Sequence, residues 1–300
     1  MASTAIADKD LVSIQQARAL AARAKEAQKT VAGFSQEQVD RIVEAMAGAA
    51  RNEAERLARM AHEETGFGNT KDKTLKNLFS AVDVYNYIRP LRTVGILRED
   101  PVRRVVEIAE PMGVVAAVIP STNPTSTAIY KILIALKARC PIVLSPHPSA
   151  ARCITRVAEI MGEAATAAGA PAGSIGWMTT VTLEGTQELM RCRDTSVILA
   201  TGGIGLVRAA YSSGKPAYGV GPGNVPAYIE KTADVPKAVR DVIAGKTFDY
   251  GTLCSSEQSI VCDEAIKDQV VAEVKKNGGY FLSEAETAAV SRVVRPSWAP

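Results

Sequence analysis

Histidine is almost missing from this 300-residue chain: His62 and His147 are its only two. So thin a supply of imidazole disfavours a catalytic zinc centre. The five cysteines (Cys140, Cys153, Cys192, Cys254 and Cys262) include no CxxC pair, which argues against a structural zinc site as well. An odd count at low density is no disulfide framework and suits a reducing compartment. Aromatic residues make up 5% and the net charge is +3, from 35 basic against 32 acidic residues. Such a chain has neither the stacking platforms nor the basic surface that nucleic acid demands. The most apolar stretch, residues 112–119, is far shorter than the ~20 residues of a membrane helix. Residues 1–10 lack the apolar run of a signal peptide and carry Asp8, Lys9 and Asp10. No internal repeat, low-complexity tract or long charge run is present. These absences lead us to expect a cytoplasmic protein with no metal, no nucleic-acid partner and no membrane partner.

What is present is ample material for a core: 47% hydrophobic against 22% charged residues. Residues 11–33 are Ala-rich and helix-favouring. Ser35 with Gln38 three positions on forms a capping-box pattern. Val39, Ile42, Val43, Met46, Ala50, Leu57 and Met60 then recur at helical spacing until Gly66. A further periodic segment runs from Thr70 through Leu75, Leu78, Phe79, Val82 and Tyr85 to Pro90. The first 90 residues therefore read as helical, with little chemistry in them.

Beyond residue 100 the period changes. Residues 104–109 are β-like, and 113–119 form a continuous apolar run of the kind that makes a buried strand. Helical pattern (Ile129, Ile132, Leu133, Leu136), short strand (142–144), helix (150–168), strand (173–178), helix (184–190) and strand (197–200) follow. This alternation predicts an α/β fold, a doubly wound and mostly parallel sheet joined by right-handed crossovers. Ligands of such sheets sit at the carboxyl ends of the strands, here the loops 120–124, 145–149 and 201–205. Residues 214–226 are dense in glycine and proline and read as tightly bent backbone. A helix over 235–248 leads into a loop bearing Cys254 and then a strand.

Four features in those loops could carry chemistry. Cys254, among Thr252, Ser255 and Ser256, is either a small buried hydrophobe or a nucleophile at the start of a short helical turn, where a thiolate is stabilised. Asn123, followed by Pro124, suits a turn or helix cap; the alternative is an amide donor aimed at an oxyanion. His147 is most simply a loop residue, although a strand end could bring it to a nucleotide. The pair Gly202–Gly203 opening a helix could hold a pyrophosphate, but no GxGxxG follows a strand here.

Taken together and in order, Met112-Gly-Val-Val, Ile119-Pro-Ser-Thr-Asn-Pro-Thr-Ser126, Ile142-Val-Leu-Ser-Pro-His-Pro148, Ala200-Thr-Gly-Gly203, Ala210-Tyr-Ser-Ser-Gly-Lys-Pro-Ala217, Gly219-Val-Gly-Pro-Gly-Asn224 and Phe248-Asp-Tyr-Gly-Thr-Leu-Cys-Ser-Ser-Glu-Gln258 resemble the aldehyde dehydrogenase superfamily, and within it the coenzyme-A-acylating branch. The resemblance spans roughly residues 10 to 294. It implies Cys254 as nucleophile and Asn123 as oxyanion-binding amide. It implies Ile119, Pro120, Ser145, His147, Pro148, Ser149, Thr201, Gly202, Gly203 and Gly221 around a bound NAD or NADP. A Rossmann-like nucleotide domain with the N-terminal helices (1–229) would precede an incomplete second α/β catalytic domain (230–300).

Hydrolytic members of that family carry a water-activating Glu in the loop corresponding to residues 219–225. This chain has Gly-Val-Gly-Pro-Gly-Asn-Val there. A missing general base costs about 10²–10⁴-fold in water attack, whereas a thiol cofactor needs less help. Transfer to coenzyme A is therefore expected. Many members grip the adenosine ribose with a Lys and a Glu where this chain has Ser145 and Pro148. That loss, with Ser149 and Arg152 close by, leans towards tolerance of NADP, with NAD left open. By the same resemblance the rest of the catalytic domain, a further carboxylate-bearing cofactor segment and a dimerisation strand would follow residue 300, and relatives would be homo-oligomers. The terminal residues 295–300 do not continue the preceding helical pattern. A C-terminally truncated form is therefore expected, with no activity assumed for it by itself. A small aldehyde such as acetaldehyde or sulfoacetaldehyde is the expected substrate. The alternatives are a non-catalytic nucleotide-binding module and a hydrolytic dehydrogenase.

Overall fold

A computed structural model describes residues 8–294. The first seven positions of the segment read as lacking a signal peptide, and the terminal 295–300, lie outside the described residues. The chain divides into two units, Met1–Pro222 with Thr252–Cys254, and Gly223–Gly251 with Ser255–Pro300.

The first unit begins with α1 (Lys9–Val31), α2 (Gln36–Asn52), α3 (Ala54–Thr65), α4 (Thr70–Leu78), a π-helical stretch (Phe79–Val84) and α5 (Tyr85–Ile88). The Ser35–Gln38 capping box forms as expected, each side chain bonding the other's backbone N–H. Next comes an antiparallel ribbon, β1 (Gly95–Asp100) with β2 (Val105–Ala109). Only its second strand was expected. The sheet proper is built by β3 (Val114–Ile119), α6 (Pro124–Lys137), β4 (Ile142–Pro146), α7 (Ala151–Ala167), β5 (Ile175–Trp177), α8 (Leu183–Arg191), β6 (Thr195–Thr201), α9 (Ile204–Tyr211) and β7 (Ala217–Val220). Strand order is β5-β4-β3-β6-β7, with every pairing parallel. The expected doubly wound parallel sheet is therefore present. β7 was missed because glycine-rich sequence reads as loop; it gains its place by backbone pairing with β6.

The central strand β3 and its neighbour β4 are buried along their whole length. Alternation along β3 divides the core in two. Val115, Ala117 and Ile119 pack with residues of α2, α3, α6 and α7, while Val114, Ala116 and Val118 pack with residues of α1, α8 and α9. The strand order reverses direction between β3 and β6, the switch point at which such sheets open a crevice.

The second unit contains β8 (Pro226–Ile229), α10 (Val235–Thr247), β9 (Ser259–Cys262), α11 (Lys267–Lys276) and α12 (Glu284–Val294), with β8 parallel to β9. Its core cluster is small: Ile229, Val235, Val239, Val270 and Val274. No described helix of either unit is long and apolar enough to cross a membrane.

Candidate functional site

A cavity of about 630 Å³ opens at the carboxyl ends of the strands in the first unit. The end of β3 contributes Ile119, Pro120 and Asn123, and the end of β4 contributes Ser145, His147 and Pro148. The end of β6 supplies Thr201, Gly202 and Gly203; Gly221 follows β7, and Thr252 and Cys254 complete the wall. Of the site residues that the resemblance implies, only Ser149 is off this lining; Arg152 is off it too. Ser149 instead donates its N–H to His147 Nδ1 at 3.2 Å and lies 2.8 Å from the same atom through its hydroxyl. Among the described lining residues none is acidic, Lys or Arg.

Parts of this wall went unnoticed in the sequence. Val181, Thr182, Leu183 and Thr186, around the start of α8, and Leu206 of α9 also face the cavity. Their signal was hidden because apolar residues beside a helix start look like ordinary packing. α1 positions this wall: Ser13 Oγ donates to Thr180 O at 2.7 Å, and Gln16 Oε1 accepts the N–H groups of Thr179 and Thr180. Close approach demands glycine at 185, where a Cβ would lie 1.9 Å from Ser13 Oγ. Ser145 is buried, and its hydroxyl is held 2.8 Å from that of Thr186.

The cavity fits a dinucleotide on three counts. Gly203 stands at the N-cap of α9 with no side-chain cap, so the first N–H groups of that helix keep their donors for an anion. Open space surrounds the position where a Cβ at Gly203 would stand, and at Gly202 a Cβ would press 2.6 Å from Leu206 Cδ2. Val181, Leu183 and Leu206 offer apolar surface for a planar base. The start of α7 is taken by another group: Glu64 accepts the N–H of Arg152 at 2.8 Å and of Cys153 at 2.7 Å.

Asn123 occupies the N-cap position of α6, yet its side chain makes no cap hydrogen bond. Its Oδ1 accepts from Lys76 Nζ at 2.6 Å, and its Nδ2 lies 3.4 Å from Thr252 O, two residues from Cys254. Cys254 itself is exposed in a turn and not at a helix start, which corrects the expectation of a helical turn there. It differs from Cys140 and Cys153, which are buried and whose thiols burial pushes up. A protonated, enclosed thiol is a poor nucleophile. The first 90 residues also prove richer than expected, since Glu64, Lys73 and Lys76 all reach backbone or side chains at the strand ends. Behind the site, Lys131 Nζ donates to Val118 O at 2.9 Å and Leu199 O at 2.8 Å, joining β3 to β6. Burial lowers its pKa to about 7.

Comparison with known proteins agrees with this architecture. The family model described as "Aldehyde dehydrogenase family" matches residues 2–278. The bifunctional aldehyde-alcohol dehydrogenase AdhE of Escherichia coli (strain K12) is 46% identical over 284 residues, 95% of this chain and 32% of that protein. An acetylating aldehyde dehydrogenase from Geobacillus thermoglucosidasius superposes with a TM-score of 0.91 at 59% identity, over 98% of this chain and 66% of that one. A Rhodopseudomonas palustris propionaldehyde dehydrogenase, solved with CoA bound and a cysteine acylated, superposes with a TM-score of 0.81 at 28% identity, over 93% of this chain and 63% of that one. The chain thus spans about a third of the length of the curated relative.

Proposed function

Because the chain belongs to the aldehyde dehydrogenase family, we propose that it carries the nucleotide crevice and acyl-transfer centre of a coenzyme-A-acylating dehydrogenase of small aldehydes. One observation supports this most: an exposed cysteine and an asparagine amide share one cavity whose described lining holds no carboxylate.

Cys254 Sγ attacks the aldehyde carbon and forms a thiohemiacetal. Asn123 Nδ2 and the Cys254 N–H are the donors for the oxygen that gains charge. Residues of the β4 and β6 ends and the first turn of α9 would hold the dinucleotide, whose nicotinamide would accept the hydride from the thiohemiacetal carbon. The acyl group then stays on Sγ as a thioester. Without a base in the loop over 219–225 to activate water, the thiolate of coenzyme A is the competent attacking group. It takes the acyl group and releases Sγ. Ser145 and Pro148 leave no carboxylate to repel a 2′-phosphate, so NADP is accepted beside NAD.

The test is to mix the protein with acetaldehyde or sulfoacetaldehyde, NAD⁺ or NADP⁺, and coenzyme A, and to follow reduced nicotinamide. Turnover that needs coenzyme A and vanishes in Cys254→Ala supports the proposal. Turnover without coenzyme A indicates a hydrolytic enzyme, and dinucleotide binding with no turnover indicates a binding module.

A further inference from the structure

We propose that Lys76 is a positioning residue for the Asn123 amide: from α4 it holds the side-chain oxygen and thereby aims the amide nitrogen towards Thr252, two residues from Cys254, and sharpens it as a donor. This rests on the role given to Asn123 above. The polar face of α4 grips the β3–α6 loop and the first turn of α6 at three points. Lys73 Nζ donates to Thr122 O at 3.0 Å, Lys76 Nζ to Asn123 Oδ1 at 2.6 Å, and Asn77 Oδ1 accepts from Thr125 Oγ1 at 2.8 Å. All three α4 residues are buried. Placing lysine nitrogens out of water is costly, and a helix needing only contact area would use apolar side chains there.

The chemistry of the pair decides the orientation of the amide. A lysine Nζ that donates requires an oxygen opposite it, so Oδ1 must face Lys76. Nδ2 is then forced to the other side, 3.2 Å from Thr122 Oγ1 and 3.4 Å from Thr252 O. A donor at the carbonyl oxygen also polarises the amide and makes its N–H a stronger donor. The capping function open to an asparagine at this position is given up, because its oxygen is already taken.

The experiment measures capture of acetaldehyde by Cys254, read as protection of its thiol from iodoacetamide, and needs neither dinucleotide nor coenzyme A. Four variants are compared with the unaltered chain: Lys76→Met, Lys76→Arg, Asn123→Ala and the double variant Lys76→Met/Asn123→Ala. We expect Lys76→Met to weaken capture on the order of tenfold, leaving the alkylation rate without aldehyde unchanged. Arginine at 76 restores most of it. The double variant is no worse than Asn123→Ala, because both losses pass through one amide. Wild-type capture in Lys76→Met beside a defect in Asn123→Ala, or additive losses, overturns this proposal alone. Wild-type capture in Asn123→Ala overturns the reading of Asn123 and this proposal with it. Should the Lys76 variants fail to fold, side-chain amide NMR of the unaltered protein decides. Rotation about Cγ–Nδ2 of Asn123 is expected to be slower than in the exposed Asn224, and equal rotation overturns the proposal.

Discussion

At the scale of single residues, the most informative side chains are those whose positions imply one duty and whose contacts reveal another. Asn123 stands where a cap belongs and does not cap. Removing its amide in Asn123→Ala should lower kcat by about 10²–10³-fold with little change in dinucleotide affinity, which steady-state kinetics and a binding titration separate. Lys131 is another such case. Its pKa falls through burial from the ordinary 10.5 to about 7. Between those values the unfolded chain binds more protons than the folded one, so stability rises with pH across that window and is level in this respect below pH 7. The slope approaches about 1.4 kcal/mol per pH unit at most. Urea unfolding at pH 7, 8 and 9 should show it, and Lys131→Met should flatten it. Asn123 was legible as a candidate because strand-end loops concentrate chemistry, whereas Cys254, in a loop between a helix and a strand, gained the nucleophile's role only through the family resemblance. Lys76, Lys73 and Glu64 were not, because a charged residue on a helix normally faces water, and nothing in local spacing shows that it is turned inward.

Elements were easiest to read where one physical signal dominated. The all-apolar β3 and the capping box at Ser35 announced themselves, and both are present. β1 and β7 were not announced, since exposed residues or glycines blur the alternation and their strand character comes from the partner. Two element ends make quantitative tests. Gly113 leads into β3 with φ +115°, and a Cβ there would lie 2.1 Å from Ser196 Oγ. Gly113→Ala should therefore cost at least about 2 kcal/mol, visible as a lowered denaturant midpoint. Glu64 caps α7 from a distant helix, and Glu64→Ala leaves two N–H groups without it. We expect a loss of about 1–2 kcal/mol and a Tm lower by roughly 2–4 °C in thermal unfolding.

The whole molecule combines units of unequal means. Among the described residues, the first unit holds two extended core clusters around its sheet, whereas the second has one small cluster. Local stability follows buried apolar contact, so amide hydrogens of β8, β9, α10 and α11 should exchange well before those of β3, β4 and β6 in native-state exchange followed by mass spectrometry. Equal protection of the two sets would contradict this. The strand order also bears on synthesis. One neighbour of β3, β4, is the next strand to be made, but the other, β6, begins only at Thr195. About 75 residues of translation, at 5–20 residues per second, leave the free side of β3 without its partner for roughly 4–15 s. A nascent chain with so apolar an unpaired strand is a natural client for chaperones, and slowing translation ahead of codon 195 should lower its soluble yield.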